Sequence, residues 1–331
     1  MKKILVTGGA GYIGSHTIVE LIASGYTPVI VDNLCNTSTE NIHGIEKITD
    51  TAVKWHNVDC TDKIAMDKVF TKEGRVEGVI HLAAYKAVEE SVLKPEKYYN
   101  NNIGSLKVAL NCMQENEVKN IVFSSSCNVY GMPDVLPVDE NAPFKKAESP
   151  YGETKQICEE MLKDDTSNSV ALRYFNPIGS HSSALIGDCS ADSPSNLVPL
   201  ITEVAIGKKE KITIFGDDYN TPDGTCIRDY IHVVDLAKSH VLAMEFLIKN
   251  PGKHAFNVGT GIGVSVLDAV KAFEKTNKLK INYSIGPRRI GDIEKIYADG
   301  SLVKTKLGWE PKEKLEQAMK SAWEWQKKKK R

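Results

Sequence analysis

The sequence has no long apolar run, no excess of charge of either sign and no paired cysteines. Its 331 residues carry 42 Lys+Arg against 43 Asp+Glu, a formal charge of −1. That balance supplies no long-range field to gather nucleic acid or an anionic membrane. Neither is expected as a partner, and an anionic ligand must be held by local geometry. No apolar stretch reaches the length that spans a bilayer. Met1-Lys2-Lys3-Ile4-Leu5-Val6-Thr7 starts like a secretion signal, but its apolar run stops at Gly8-Gly9 before an h-region forms. The seven cysteines (Cys35, Cys60, Cys112, Cys127, Cys158, Cys189 and Cys226) are scattered, with no C-x-x-C pair and no metal-ligand spacing. The expectation is reduced thiols in a soluble cytoplasmic protein, with neither a disulfide framework nor a metal.

What is present is ordinary globular composition, 41% hydrophobic and 26% charged. The length suits about two domain-sized units and a full core. The first half alternates short β-rich runs with helical spacing. Lys3–Thr7, Thr27–Val31, Val53–Val58, Gly78–Leu82 and Asn120–Ser124 read as strands; His16–Ser24, Ile64–Phe70 and Ser105–Glu115 read as helices. The alternation predicts an α/β fold, a doubly wound parallel sheet with helices on both faces. The strands lack polar alternation, as strands covered on both faces should. A helix is expected from Pro150 and a strand over Val170–Tyr174. A long Ser- and Gly-containing loop follows over 176–196, of the kind that is often functional. Helices at Leu197–Ile206, Val233–Leu247, Val264–Thr276 and Leu315–Gln326, with strands at Ile212–Phe215 and Phe256–Val258, complete the chain. The Lys327–Arg331 run reads as a solvated tail.

Thr7-Gly8-Gly9-Ala10-Gly11-Tyr12-Ile13-Gly14 joins the first strand to the first helix and contains G-x-G-x-x-G. Such a turn must be tight and free of side chains so that a pyrophosphate can approach backbone N–H groups at a helix N-terminus. The motif alone is weak. Here it has its strand, its helix and, roughly 20 residues on, an acidic residue at the end of the second strand, Asp32. A carboxylate there accepts from ribose hydroxyls and repels a 2′-phosphate, which points to NAD. Asp59, after the third strand, suits either an adenine contact or a helix cap. Lys86, after the fourth, suits either the cofactor or solvent.

Ser149-Pro150-Tyr151-Gly152-Glu153-Thr154-Lys155 reads as a helix start, with Ser149 as cap and Pro150 in the first turn. Tyr151 and Lys155 then share a face one turn apart. A phenol titrates near ~10; a lysine ammonium and the positive helix end both favour its phenolate, so the pair describes a tuned general base. Chance alone supplies roughly one or two Tyr-x-x-x-(Lys/Arg) pairs in such a chain, so placement carries the weight. Upstream, Ser124-Ser125-Ser126-Cys127-Asn128 stands at the carboxyl end of the fifth strand, where ligands bind in open α/β sheets. A hydroxyl there can share a proton with the tyrosine and an alcohol substrate.

The glycine turn together with Tyr151 and Lys155 resembles an extended short-chain dehydrogenase/reductase. Longer strings are similar, more narrowly, to the UDP-glucose 4-epimerases. These are Gly11-Tyr12-Ile13-Gly14-Ser15-His16-Thr17, Asp32-Asn33-Leu34-Cys35-Asn36, Lys86-Ala87-Val88, Arg173-Tyr174-Phe175-Asn176-Pro177 and Ile227-Arg228-Asp229-Tyr230-Ile231-His232-Val233. The resemblance implies a Rossmann-type NAD domain over 1–175. It also implies a smaller mixed α/β, mainly UDP-sugar-binding part over 176–331, with segments near 212–260 returning to the first. It implies Tyr151 as acid/base, Lys155 on the nicotinamide ribose and Ser126 on the sugar hydroxyl. NAD would be met by Gly8, Gly11, Tyr12, Ile13, Gly14, Asp32, Asn33, Leu34, Cys35, Asn36, Asp59, Cys60, Leu82, Lys86, Tyr151, Lys155 and Tyr174. A UDP-hexose substrate would be met by Ser126, Cys127, Asn128, Tyr151, Tyr174, Phe175, Asn176, Asn196, Leu197, Thr213, Ile214, Phe215, Arg228, Arg289, Asp292 and Ile296. Guanidinium forks at Arg228 and Arg289 also suit a diphosphate on chemical grounds. The reaction implied is reversible epimerisation at C4′ through a 4-keto sugar, in a homodimer.

Several positions depart from the family's pattern. Cys127-Asn128 stands where Ala-Thr is usual, Ile290 where Glu is, Leu82 where Phe is common, and Ser195 where Asn is frequent. Ile296, intermediate in size, predicts UDP-glucose and UDP-galactose as principal substrates and leaves room for N-acetylhexosamines; such pockets discriminate by about 1–3 kcal/mol. A sugar-nucleotide 4,6-dehydratase would need an acid/base pair that Cys127-Asn128 does not supply. A hexuronate epimerase and a non-catalytic NAD or sugar-nucleotide sensor are the other readings.

Overall fold

In the computed structural model, which describes residues 2–189 and 196–329, seven parallel strands form one sheet. They are β1 (Lys3–Thr7), β2 (Thr27–Asp32), β3 (Lys54–Asn57), β4 (Gly78–His81), β5 (Asn120–Ser124), β6 (Asn168–Tyr174) and, after the short β7 (Asn176–Ile178), β8 (Ile212–Phe215) and β9 (Ile227–His232), the late strand β10 (Lys253–Val258). Their spatial order is β3-β2-β1-β4-β5-β6-β10. The order reverses at β1, so a crevice opens between the carboxyl ends of β1 and β4.

Successive strand residues face opposite helical layers, as the two-residue period requires. Ile4, Val6, Ile30, Ile80 and Val122 pack beneath α1 (Tyr12–Ala23), α2 (Glu40–Thr49) and α9 (Val233–Lys249). Leu5, Val31, Val79, Ile121 and Phe123 pack beneath α3 (Lys63–Glu73), α6 (Gly104–Glu115) and α7 (Pro150–Asp164). Between α3 and α6 lie the short α4 (Val88–Leu93) and α5 (Pro95–Tyr98) and a π-helical turn, Tyr99–Ile103. The expectation of strands covered on both faces fails at β3, the edge strand, where Lys54, Trp55 and Asn57 are exposed. A charged, polar edge limits strand addition by another chain.

Within residues 212–260, α9 and β10 join the large sheet, whereas β8 and β9 belong to smaller ones. Around β9 gather β7, β11 (Gly263–Ser265) and β13 (Lys295–Ile296), while β8 pairs in parallel with β12 (Tyr283–Gly286). A third apolar cluster, including Ile201, Ile214, Phe273 and Met319, unites α8 (Leu197–Ala205), β8, α10 (Val266–Asn277) and, beyond α11 (Ser301–Leu307), α12 (Leu315–Lys329). The expected loop over 176–196 is partly β7, and its residues 190–195, with Ser195, lie outside the described residues, as do 330–331 of the tail. No helix among the described residues is long and apolar enough to cross a membrane.

Candidate active site

The glycine turn is built by contacts that only glycine permits. A Cβ on Gly8, whose φ is +70°, would lie 2.8 Å from the Ala83 nitrogen, and one on Gly14 would lie 2.3 Å from the Gly8 oxygen. Gly11 differs: its Cβ would meet only the Gly8 oxygen, at 3.2 Å, and open space beyond. It starts α1 without a side-chain cap, so the first-turn N–H groups are left for a ligand. This cradle and the uncapped helix fit a dinucleotide's pyrophosphate, and the acidic strand end fits its ribose.

Asp32 is buried at the end of β2 and accepts from the Ala10 and Leu34 nitrogens at 3.1 and 2.9 Å. Burial pushes its carboxyl up while these two bonds pull it down. Each oxygen keeps a lone pair for a ribose hydroxyl. Asp59 accepts from the Thr61 nitrogen and hydroxyl and from Asn33 Nδ2, and its carboxyl stands below the ordinary value. It therefore caps its own turn and lines the cleft at once; the cap of α3 is Asp62.

The cleft is lined by Gly8, Gly11, Tyr12, Ile13 and Gly14, by Asp32, Asn33, Cys35, Asn36, Asp59, Cys60, Leu82 and Lys86, and at its far end by Tyr151, Lys155 and Tyr174. Tyr85, Asn101 and Ser105 line it too, and sequence reading missed them. Asn101 belongs to the π-helical turn, a local widening frequent at functional sites but without a sequence signature. Leu34 is the one non-glycine residue among the expected cofactor contacts held in the left-handed region, φ 56°. Lys86 Nζ lies 3.5 Å from Asp188 Oδ2. Asp188 belongs to a segment that crosses α1 and α2: Tyr12 donates to the Gly179 oxygen at 2.5 Å, and Asn41 exchanges hydrogen bonds with Gly187.

At the other end, Ser149 caps α7 by accepting from the Gly152 nitrogen, with Pro150 in the first turn. Tyr151 and Lys155 are both buried. Lys155 Nζ donates to the Ser124 oxygen at 2.7 Å and lies 5.9 Å from the Tyr151 ring centroid. Burial lowers the Lys155 ammonium to about 8. Burial also raises the Tyr151 phenol, with neighbouring Tyr174 adding to the rise and a hydrogen bond from Ser126 opposing it. The Lys155 ammonium is thus anchored to the β5 backbone with its charge 5.9 Å from the Tyr151 ring centroid. Tyr174 shares a very short hydrogen bond with Ser124.

The backbone and side-chain nitrogens of Asn128 both donate to Ser126 Oγ, at 3.2 and 3.0 Å. Beneath this turn, Ser125 donates to Glu159, which Arg173 grips with three hydrogen bonds of 2.7–3.1 Å. Arg228 and Arg289, far apart in sequence, converge on Asp292: Arg289 Nη2 at 2.8 Å and Arg228 Nη2 at 3.5 Å from Oδ1. Arg289 also lies over the Phe215 ring. Two guanidiniums on one carboxylate leave one net positive charge and spare donors for an anion. Ile296 pairs with Arg228 across β13 and β9 and is buried with Cys127, Tyr130 and Phe175. Thr213 is exposed on β8, whereas the Ile214 side chain turns into the core and Leu197 packs against it. Asn196 lines a small recess with Tyr12, Gly179 and Trp325, and Asn176 starts β7.

Residues 4–259 match the family model described as NAD dependent epimerase/dehydratase family. The chain is 48% identical over 330 residues to a UDP-glucose 4-epimerase of Dictyostelium discoideum, spanning 98% of this chain and 95% of that protein. It is 48% identical over 328 residues to one from Bacillus subtilis, spanning 98% and 96%. The crystal structure of UDP-glucose 4-epimerase from Bifidobacterium longum in complex with NAD+ and UDP shares its fold with a TM-score of 0.96. That match has 44% identity and covers 99% of this chain and 98% of that one.

Proposed function

Since the chain belongs to the NAD dependent epimerase/dehydratase family and, within it, to the UDP-glucose 4-epimerases, we propose that Tyr151 is its acid/base, Ser126 its proton-sharing hydroxyl and Lys155 its ribose-binding cation. The activity is NAD-dependent epimerisation of a UDP-sugar. The observation that carries the residue assignment is the meeting of Tyr151, Lys155 and the Ser124–Ser126 turn at one end of the cleft that the glycine turn opens.

Gly8, Gly11, Gly14 and Asp32 would hold NAD, which would supply reversible hydride acceptance, so that no redox equivalent would be consumed. Tyr151 takes the proton of the 4′-hydroxyl and gives it back to the inverted alcohol. Ser126 donates to the Tyr151 oxygen and spreads the charge that develops there. Arg228 and Arg289 hold the diphosphate, leaving the hexose free to turn over between the two half-reactions. Glucose and galactose are the sugars that the buried Ile296 wall favours. The chain acts as a cytoplasmic homodimer in this reading, which sedimentation at varied concentration tests.

Purified protein without added NAD should convert UDP-galactose to UDP-glucose. Tyr151→Phe should lower kcat by about 10²–10⁴-fold with bound NAD undiminished. Tyr151→Phe at wild-type rate would overturn the assignment, and no turnover with NAD supplied would return weight to the sensor reading.

A further inference from the structure

The Ser126 hydroxyl is the N-cap of a 3₁₀ turn, Cys127–Tyr130, and its oxygen accepts twice from Asn128: from the backbone N–H at 3.2 Å and from Nδ2 at 3.0 Å. A hydroxyl has two acceptor lone pairs and one proton. With both lone pairs engaged, Ser126 has only its proton to offer. We infer that Asn128 is a positioning residue, which fixes Ser126 as a one-way donor to the Tyr151 oxygen and so favours the phenolate. This rests on the acid/base role of Tyr151 proposed above.

The surroundings narrow where that proton can go. Ser126 and Tyr151 are both buried, and the Ser126 hydroxyl lies close enough to oppose the rise that burial imposes on the Tyr151 phenol. Cys127 also lies in reach, but burial holds its thiol neutral at about 12, and a neutral thiol is a weak acceptor. The groups facing Tyr151 are Tyr174 from β6, Tyr98 from α5, Cys127 from the 3₁₀ turn and Lys155 from its own helix. None of the first three supplies positive charge, and Lys155 is bonded to the Ser124 oxygen. A directed hydroxyl proton therefore adds to the Lys155 charge in stabilising negative charge on Tyr151. Asn128 is itself well placed: its backbone oxygen accepts from Gly131 at 3.3 Å. Its Cβ would touch a Cβ on Gly152, the residue after Tyr151, at 3.5 Å. A threonine hydroxyl, which donates or accepts, would leave the direction of the Ser126 proton open; a side-chain amide nitrogen only donates.

The test is kcat against pH for the holoenzyme and for Asn128→Leu, Asn128→Asp, Ser126→Ala and Ser126→Ala/Asn128→Leu, with NAD content measured on each. Asn128→Leu should lower kcat about 3–10-fold, move the acidic limb of the profile to higher pH and leave KM and NAD content near wild type. Asn128→Asp, an acceptor that draws the serine proton away, should move that limb further. In the Ser126→Ala background, Asn128→Leu should add nothing. An unmoved limb, or an equal loss with and without Ser126, would overturn the inference. Tyr151→Phe retaining full activity would instead overturn the acid/base reading beneath it.

Discussion

Gly14→Ala replaces one hydrogen by a methyl group at the point where α1 crosses the glycine turn. The new Cβ would sit 2.3 Å from the Gly8 oxygen and 2.7 Å from the Gly9 Cα, both backbone atoms of the turn. Relaxing the first contact to 3.0 Å displaces the turn by about 0.7 Å. Overpacking of this kind costs about 1–3 kcal/mol. At about 2.1 cal/mol/K per residue, a chain of this length loses roughly 1.4 °C of Tm per kcal/mol, so the variant should fold and melt only a few degrees low. Cofactor binding should suffer more. The pyrophosphate cradle is formed by the displaced backbone, and a misplacement near 1 Å is worth about 10²-fold. Gly14→Ala should therefore lose most of its bound NAD on gel filtration and recover activity only with excess NAD. Gly104→Ala is the control: it lies in a helix with only the Thr61 methyl 3.8 Å from a new Cβ, and should keep NAD and gain a fraction of a degree or more. Full NAD retention by Gly14→Ala at unchanged Tm would refute the reasoning.

The buried Lys155 ammonium, lowered from 10.5 to about 8, makes stability depend on pH. The unfolded chain binds the extra proton between those values, so cofactor-free protein should gain stability as pH rises from about 8 to 10.5. The gain is on the order of 3 kcal/mol, and urea midpoints of wild type relative to Lys155→Met should show the difference moving toward wild type. Arg173→Met strands the buried Glu159 carboxylate and should cost about 3–5 kcal/mol. Tm should fall by roughly 4–7 °C, with partial recovery on adding Glu159→Gln; an unchanged melt would contradict it. Arg228→Met should weaken UDP binding by about 1.5–3 kcal/mol, the worth of a charge-assisted bond, read by calorimetry, while NAD content stays constant.

Where local rules govern, the sequence was legible. β1 and β5 run where expected, and Ser149 caps the Tyr151 helix. β9 went unread because Asp229 makes it look polar. That carboxylate is fully buried, accepting from Thr260, Gly261 and Ala298 nitrogens, and a buried ion looks like a surface residue in sequence. α2 went unread because Gly44 interrupts it; a Cβ there would lie 2.1 Å from the Leu185 oxygen, so the glycine serves close packing and not a break.

The dinucleotide turn, the acidic end of β2 and the Tyr-x-x-x-Lys face were determined by sequence alone, because each is a short-range pattern set by backbone geometry. Tertiary structure alone brought Arg228 and Arg289 to Asp292, returned β10 to the sheet, engaged Lys155 with Ser124 and aimed Asn128 at Ser126. Those outcomes depend on contacts between distant segments and on burial, which no local pattern encodes.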